Sequence, residues 1–407
     1  MPKRKPLGVW LYGLRVAELS SARPGQVVCR YTDEALARWP ANTPLLSCSL
    51  PLGPRPLQAG NFFRGLLPEG RALQALAADA NLASYDTFGL LERYGRDVAG
   101  AVIVAEQFPG PRPEGVEAYS EETLAAEVAN LPERPLAIHD DSELSLAGLA
   151  DKLLLVEMAP GLWGRPLHGR PSTHILKVED RRYPGMAEME VACLRLARAV
   201  GLTSVNATTR AIGGIPCLIV SRFDRRVVGG DVVRLHQEDS CQALGRDAEA
   251  DRGRGKYEAS GGPRLAEIAA LLDRYATDAR QELMKLAAAV AFTLLIGNAD
   301  AHGKNLGFVH GAPGEVQLAP LYDTVPTALW PQLRKTAAMS VNGRNRMATI
   351  TIGDIEAEAR DWPLRPEDAR LASTTTAEAL LAVLAKEEIP RTLSLFVEQR
   401  AKRLLGA

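Results

Sequence analysis

Runs of apolar residues with strand-like or helical spacing divide the chain into stretches of different character. Residues 7–18 (LGVWLYGLRVAE) read as two short strands about Gly13, a hairpin-like start, and 26–31 (QVVCRY) as a further strand. After the loop PLGPRP (51–56), the segment NFFRGLLPEGRALQALAADAN is helical but interrupted at Pro68. DTFGLLERYGRDVAGAVIVAE then predicts a short helix, a glycine turn and a strand, and the Pro- and Gly-rich stretch 108–120 reads as a linker. EETLAAEVANL is a short helix with acids in its first turn. Four strand-like runs follow: DKLLLVEM, STHILKVE, VNATTRAI and IPCLIVSRFD. Between the second and third lies the helix MAEMEVACLRLARAVGL, with Gly201 as its C-cap. From about Leu265 the chain turns helical, through LAEIAALLDRY, ELMKLAAAVAFTLLIG, and two more helices at 366–386 and 390–405.

Composition changes this picture only by exclusion. A chain of 407 residues is too long for one ordinary core and fits two or three packed units. Its formal net charge of -1 argues against a whole-protein electrostatic hold on nucleic acid; DNA contact would need a local basic patch or a basic partner. The five cysteines (Cys29, Cys48, Cys193, Cys217, Cys241) are scattered without a C-x-x-C pair and read as reduced, mostly buried thiols. The six histidines show no metal-ligand spacing, so no transition-metal site is legible. The apolar run after the basic start is too short and polar for a signal peptide, and no stretch approaches the roughly 18–20 apolar residues of a membrane span. The expectation is a soluble, cytoplasmic protein.

The most informative stretch is residues 285–326. A long apolar helix ends near Gly297, the polar loop NADAHGKN follows, then two short strands joined by GAPGE, then Tyr322-Asp323. Phosphoryl transfer asks for a carboxylate to orient the attacking hydroxyl, an Asn and an Asp to hold magnesium, and a lysine for the phosphates. Asp300 and Asn305 stand five apart, and Asp323 lies just beyond the hairpin. Oxygen donors of this kind suit magnesium. A loop rich in Asp, Asn and Gly is by itself ordinary; the ordered combination is not. The strand THILKV supplies a lysine, Lys177, whose burial would be costly unless paired, with Glu188 and Glu190 on the next helix as candidate partners. The order strand, strand, helix, strand, strand around it is that of a nucleotide-binding kinase N-lobe. There is no G-x-G-x-x-G and no P-loop, and SLAGLADK (145–152) is the nearest substitute for a phosphate-facing loop.

These residues together resemble the HipA-like kinases along nearly the whole chain. The motifs are NFFRGLLPEG, LLERYGRDVAGAV, SLAGLADKLLL, THILK, MEVACLRLARAVGL, SRFDRR, HQEDSCQALG, KYEASGGP, IGNADAHGKNLG and LAPLYD. The resemblance implies an α+β, kinase-like two-lobed fold: an N-terminal α/β subdomain (1–108), a nucleotide-binding N-lobe (120–224) and an all-helical C-lobe with the catalytic and metal loops (225–407). It implies ATP and Mg2+ as cofactors, Asp300 as catalytic base, Asn305 and Asp323 as metal ligands, and Lys177 as the phosphate lysine with Glu190 beside it. His302 and Lys304 belong to the same catalytic loop. Ala147, Gly148 and Lys152 would meet the nucleotide, as would Ser221 and Phe223 at the adenine hinge and Gln237 beyond it. Ser221 departs from the Glu usual at that position, which matters little where backbone groups make the contact. Ser145 matches a regulatory autophosphorylation site. The family's toxins phosphorylate a translation protein, typically an aminoacyl-tRNA synthetase, and are held by a small DNA-binding antitoxin of HipB type; DNA would be reached only through that partner, and no membrane is implied. Two other readings stay open: a nucleotide-binding regulatory subunit of a DNA-binding repressor complex with weak or no transfer, and a small-molecule kinase on the same fold. The intact set Lys177, Asp300, Asn305 and Asp323 weighs against the first; a closed substrate pocket would mark the second.

Overall fold

The computed structural model describes residues 4–110, 115–133, 136 and 151–406. The chain forms two compact units, neither continuous in sequence. The first comprises 1–178, 210–238 and 310–314; the second comprises 179–209, 239–309 and 315–407.

The first unit opens with the expected hairpin. Strands Leu7–Leu11 and Leu14–Ser20 pair antiparallel through Leu11 and Leu14. The two linking residues, Tyr12 and Gly13, have φ of 52° and 83°, the left-handed pair of a tight turn whose twist matches the strands. The five-stranded sheet runs Leu57–Gln58, Val28–Tyr31, Leu14–Ser20, Leu7–Leu11, Val102–Ala105. Its core joins Leu7, Val9 and Val104 to Phe62, Phe63, Phe88 and Tyr94. Pro68 separates helix Gly60–Arg64 from Gly70–Asp79, as its missing N–H requires. A helix that the sequence reading missed, Asp33–Arg38, is capped by the Thr32 side chain.

A six-stranded sheet has the order Ala207–Ile212, Ile215–Ser221, His174–Val178, Lys152–Ala159, Leu162–Pro166, Val116–Ala118. Neither the fifth nor the sixth strand is expected from the sequence; the sixth, Val116–Ala118, corrects the reading of 108–120 as a linker. Leu153, Leu155, Leu176, Cys217 and Ile219 lie on one face and pack with Leu124 and Val128 of helix Glu121–Asn130. Alternation along the strands places Lys152, Lys177 and Leu218 on the other face, where their Cα atoms are direct register partners.

A buried cluster of charges follows strand Ile215–Ser221 in the chain. Arg222 grips Asp224 through Nε (2.9 Å) and Nη2 (2.7 Å). Arg225 bonds Asp224 and Asp97 (2.8 Å each), and Arg234 also bonds Asp97 (2.8 Å). The backbone joins in: Ser172 N donates to Asp97 (2.9 Å) and Gly100 N to Asp224 (2.7 Å). Burial alone would raise both carboxyls, but the guanidinium charges outweigh it and hold Asp97 and Asp224 below the ordinary carboxylate range. At Gly100 (φ 78°) a Cβ would stand 2.9 Å from the Gln237 carbonyl oxygen, so conformation and space both require glycine.

The second unit is built on helix Ala279–Ile296, against which Leu265–Tyr275, Pro366–Leu384 and Arg391–Leu405 pack. Arg400 crosses this core, donating to the carbonyls of Leu294 (3.1 Å) and Met347 (2.6 Å). Helix Met186–Ala199 falls in this unit and packs on Pro366–Leu384, with Gly201 (φ 76°) just beyond its end. The architecture is mixed α+β, with several sheets in the N-terminal region and a largely helical C-terminal region. Within that largely helical region lies a two-stranded ribbon, Thr336–Val341 with Arg344–Arg346. Its turn is Asn342-Gly343, with φ of 50° and 70°. All five cysteines are buried and none is in a disulfide, and among the described residues no helix is long and apolar enough to cross a membrane.

The buried cluster makes stability acid-sensitive. Asp97 and Asp224 are depressed in the folded chain, so their contribution is complete above about pH 4 and is lost as pH falls toward their folded values. Asp97→Asn leaves three arginines facing one carboxylate and should cost about 3–5 kcal/mol at neutral pH. Urea unfolding at pH 7 and at about pH 2 should show the variant's deficit shrinking on the acid side.

Candidate active site

The loop after the long helix is fixed by the way that helix stops. Gly297 is left-handed (φ 77°), and the N–H groups of Gly297 and Asn298 both return to the Thr293 carbonyl, at 3.1 and 3.0 Å. A Cβ on Gly297 would lie 2.7 Å from the Phe396 ring. The chain therefore leaves the helix in one direction, and Ala299 N is caught by Thr327 Oγ1 (2.8 Å).

Asn298, buried at 4% exposure, then ties the loop to a distant segment. Its Oδ1 accepts from Asp300 N (3.1 Å), and its Nδ2 donates to the Asp323 carbonyl (3.2 Å). Asp300 and Asp323, 23 positions apart in sequence, are thus held by the two ends of one amide. Asp323 itself is left-handed (φ 54°), a conformation costly for most side chains and tolerated by Asp. The segment before it is anchored by Leu321, whose N–H donates to Leu202 (2.9 Å) and whose carbonyl accepts from Thr203 Oγ1 (2.6 Å).

The five-residue spacing has a local cause. The loop turns tightly, with His302 N on the Asp300 carbonyl and Asn305 N on the His302 carbonyl, both at 2.8 Å. The Asn305 side chain then reaches back, Nδ2 donating to the Asp300 carbonyl (3.0 Å). Because a carbonyl can only accept, this bond sets the amide orientation and leaves Oδ1 as the donor atom for a cation. Asp300 is exposed, and its Oδ1 accepts from the Tyr257 hydroxyl (2.7 Å). Tyr257 sits edge-on to His302 (5.1 Å between centroids), with the Arg334 guanidinium over its ring at 4.9 Å.

Lys304 has a holding role rather than an exposed one. It is buried, and its Nζ bonds Asp239 Oδ2 (2.8 Å). Asp239 also caps helix Ser240–Ala243, accepting from Gln242 N (2.9 Å). The Tyr322 hydroxyl donates to the Lys304 carbonyl (2.7 Å), and Gly303 is hydrogen-bonded to both Lys256 and Ser240. Asp300, His302, Lys304, Asn305 and Asp323 thus belong to one hydrogen-bonded assembly within the second unit. Glu190 is buried in the same unit, on helix Met186–Ala199.

The remaining candidates lie in the first unit. Lys152 (4% exposed) and Lys177 face the same side of adjacent strands as a direct cross-strand pair. Ser221 ends strand Ile215–Ser221, paired with His174; Arg222 N donates to the Thr173 carbonyl (2.9 Å), and Phe223 follows. Gln237 begins strand Gln237–Asp239. Ser145, Ala147 and Gly148 lie outside the described residues. Sequence reasoning gave no role to Asn298, Tyr257, Asp239 or the Asp97 cluster, although the motifs containing them were visible. The legible signal was charge density: SRFDRR directly follows a wholly apolar strand, where unpaired charge could not stay buried.

With this geometry in hand, comparison with known proteins is direct. A model of the HipA N-terminal domain matches residues 7–105, and one of the HipA-like C-terminal domain matches 144–386. The putative kinase Y4mE of Sinorhizobium fredii is 36% identical over 393 residues, which cover 93% of this chain and 91% of that protein. The serine/threonine-protein kinase toxin HipA of Shewanella oneidensis is 30% identical over 361 residues, 84% of this chain and 79% of that one. The fold matches HipA in the Shewanella oneidensis MR-1 complex of HipA, HipB and operator DNA. The TM-score is 0.79 and the identity 26%, over 98% of this chain and 96% of that one. The chain belongs to the HipA-like family.

Two substitutions test the assembly. Lys304→Met strands Asp239 in a buried site and should cost about 3–5 kcal/mol in urea unfolding. Asn298→Ala leaves the Asp300 N–H and the Asp323 carbonyl without their partner, at about 1–3 kcal/mol each where water cannot replace it.

Proposed function

We propose that the chain is a Mg-ATP-dependent serine/threonine protein kinase and the growth-arrest toxin of a toxin–antitoxin pair. The observation that carries this reading is the single Asn298 amide holding Asp300 and Asp323, with Asn305 folded back onto Asp300. Asp300 orients the attacking hydroxyl and accepts its proton. Asn305 Oδ1 and the Asp323 carboxylate are oxygen donors of the kind magnesium takes, and bound magnesium would neutralise charge on the phosphates. Lys177 and Lys152 counter phosphate charge, with Glu190 steadying Lys177. Backbone groups at Ala147 and Gly148 meet the phosphates, Ser221 and Phe223 the adenine, and Gln237 and His302 complete the nucleotide contacts. Tyr257 is a positioning residue for Asp300.

The substrate in this reading is a hydroxyl of a translation protein such as an aminoacyl-tRNA synthetase, with Ser145 as a site of self-modification. A small HipB-type antitoxin holds the kinase and supplies the contact with DNA, which fits a chain whose own net charge is -1. The support is the family membership and the kinship with a named kinase toxin.

Asp300→Ala and Asp323→Asn should each lower phosphate transfer from γ-labelled ATP by at least about a thousandfold while the chain stays folded. Tyr257→Phe removes one hydrogen bond to a charged group and should lower turnover about 10- to 100-fold. Wild-type labelling by either aspartate variant would end the kinase assignment. Expression of the wild type, but not of Asp300→Ala, should arrest growth.

A further inference from the structure

The first unit holds a second group of reactive side chains that phosphoryl transfer does not use. Cys48, Glu238 and His310 offer a thiol sulfur, a carboxylate oxygen and an imidazole nitrogen, all within 4.8 Å of one another. They come from sequence-remote segments, which is why no spacing rule finds them. Glu238 is fully buried. Its Oε1 accepts from Cys48 N (2.9 Å), and its Oε2 accepts from Ser47 Oγ (2.5 Å). The same Oε1 lies 3.0 Å from His310 Nε2.

The orientation of His310 decides what the group can do. Its Nδ1 is 3.0 Å from the Pro44 carbonyl oxygen. A carbonyl only accepts, so Nδ1 carries a hydrogen, and in the neutral ring Nε2 presents its lone pair to Glu238. Two acceptors 3.0 Å apart need a cation between them, either a proton or a metal ion. A histidine whose outer nitrogen donates to a backbone carbonyl is the form in which imidazole usually binds metal, because that bond fixes the tautomer and the ring plane. Sulfur, nitrogen and a single carboxylate oxygen suit a borderline-soft ion such as zinc and not magnesium or calcium. An ion about 2.0 Å from Nε2 and Oε1 would see them at roughly 97°, so a tetrahedral angle asks these atoms to part by only about 0.3 Å. His310 also lines a cavity of about 280 Å³ beside Tyr12 and Trp39, which gives an ion a route in.

We propose that Cys48, Glu238 and His310 form a binding site for a zinc-class divalent ion, with a fourth position left for water or a group entering from that cavity. Binding ties together three segments of the first unit and displaces the proton shared by His310 and Glu238.

The probe is Co2+ added to the untagged, chelator-treated full-length protein. One equivalent should produce a thiolate-to-cobalt charge-transfer band in the near ultraviolet, and Zn2+ should abolish the band and raise the melting temperature. Cys48→Ser, close in size to the native residue, should lose the band while keeping its far-ultraviolet circular dichroism. His310→Gln should weaken cobalt binding at least tenfold. Absence of the band in the wild type would overturn the proposal and leave a proton-bridged His310–Glu238 pair. Persistence of the band in Cys48→Ser would overturn it equally, by placing the ion on another thiol.

Discussion

A primary amide makes two kinds of hydrogen bond at once, and the loop 298–305 depends on that. Asn298 accepts from the backbone of Asp300 with one end and donates to the backbone of Asp323 with the other. An aspartate there would repel the Asp323 carbonyl, and a leucine would satisfy neither group. The glycine stop at 297, the strained backbone of Asp323 and the Leu321 anchor all serve to deliver those two groups to that amide. Conformational cost at Asp323 is what over-determined surroundings permit.

The first unit solves a different problem with stronger forces. Asp97, Asp224, Arg222, Arg225 and Arg234 are all buried or nearly so, and each carboxylate meets more than one guanidinium. Such clusters add little net stability over apolar packing, but they tolerate no substitute geometry. The planar forks of Arg222 and Arg225 also reach the carbonyls of Val98 and Gly100. The RDVAG turn and the end of strand Ile215–Ser221 are therefore specified together.

Most regular structure was legible because its signals are local. The Tyr12-Gly13 turn, the break at Pro68, the helix ending at Gly297 and the Gly201 stop each follow from the backbone chemistry of one or two residues. The ribbon at Asn342-Gly343 was legible too, since Asn-Gly is a strong hairpin signal, and was missed inside a stretch read as helical. The spacing of Asp300 and Asn305 could be read; the bond that explains it could not, because it lies between a side chain and a backbone carbonyl. Asn298, Tyr257 and Asp239 act through partners 25, 43 and 65 positions away, and no periodicity encodes such pairs. Lys304 shows the limit most plainly: its place in a polar loop suggests solvent, and its pairing with Asp239 buries it.

The discontinuity of the first unit governs how the chain can be made. That unit closes only with residues 310–314, after roughly three quarters of the polypeptide has been synthesised. Ser47 waits for Glu238, and Glu238 waits for His310. Long loops must be closed before these contacts repay the entropy, so folding should be slow and should finish late on the ribosome. A nascent chain interrupted before that point carries an incomplete first unit.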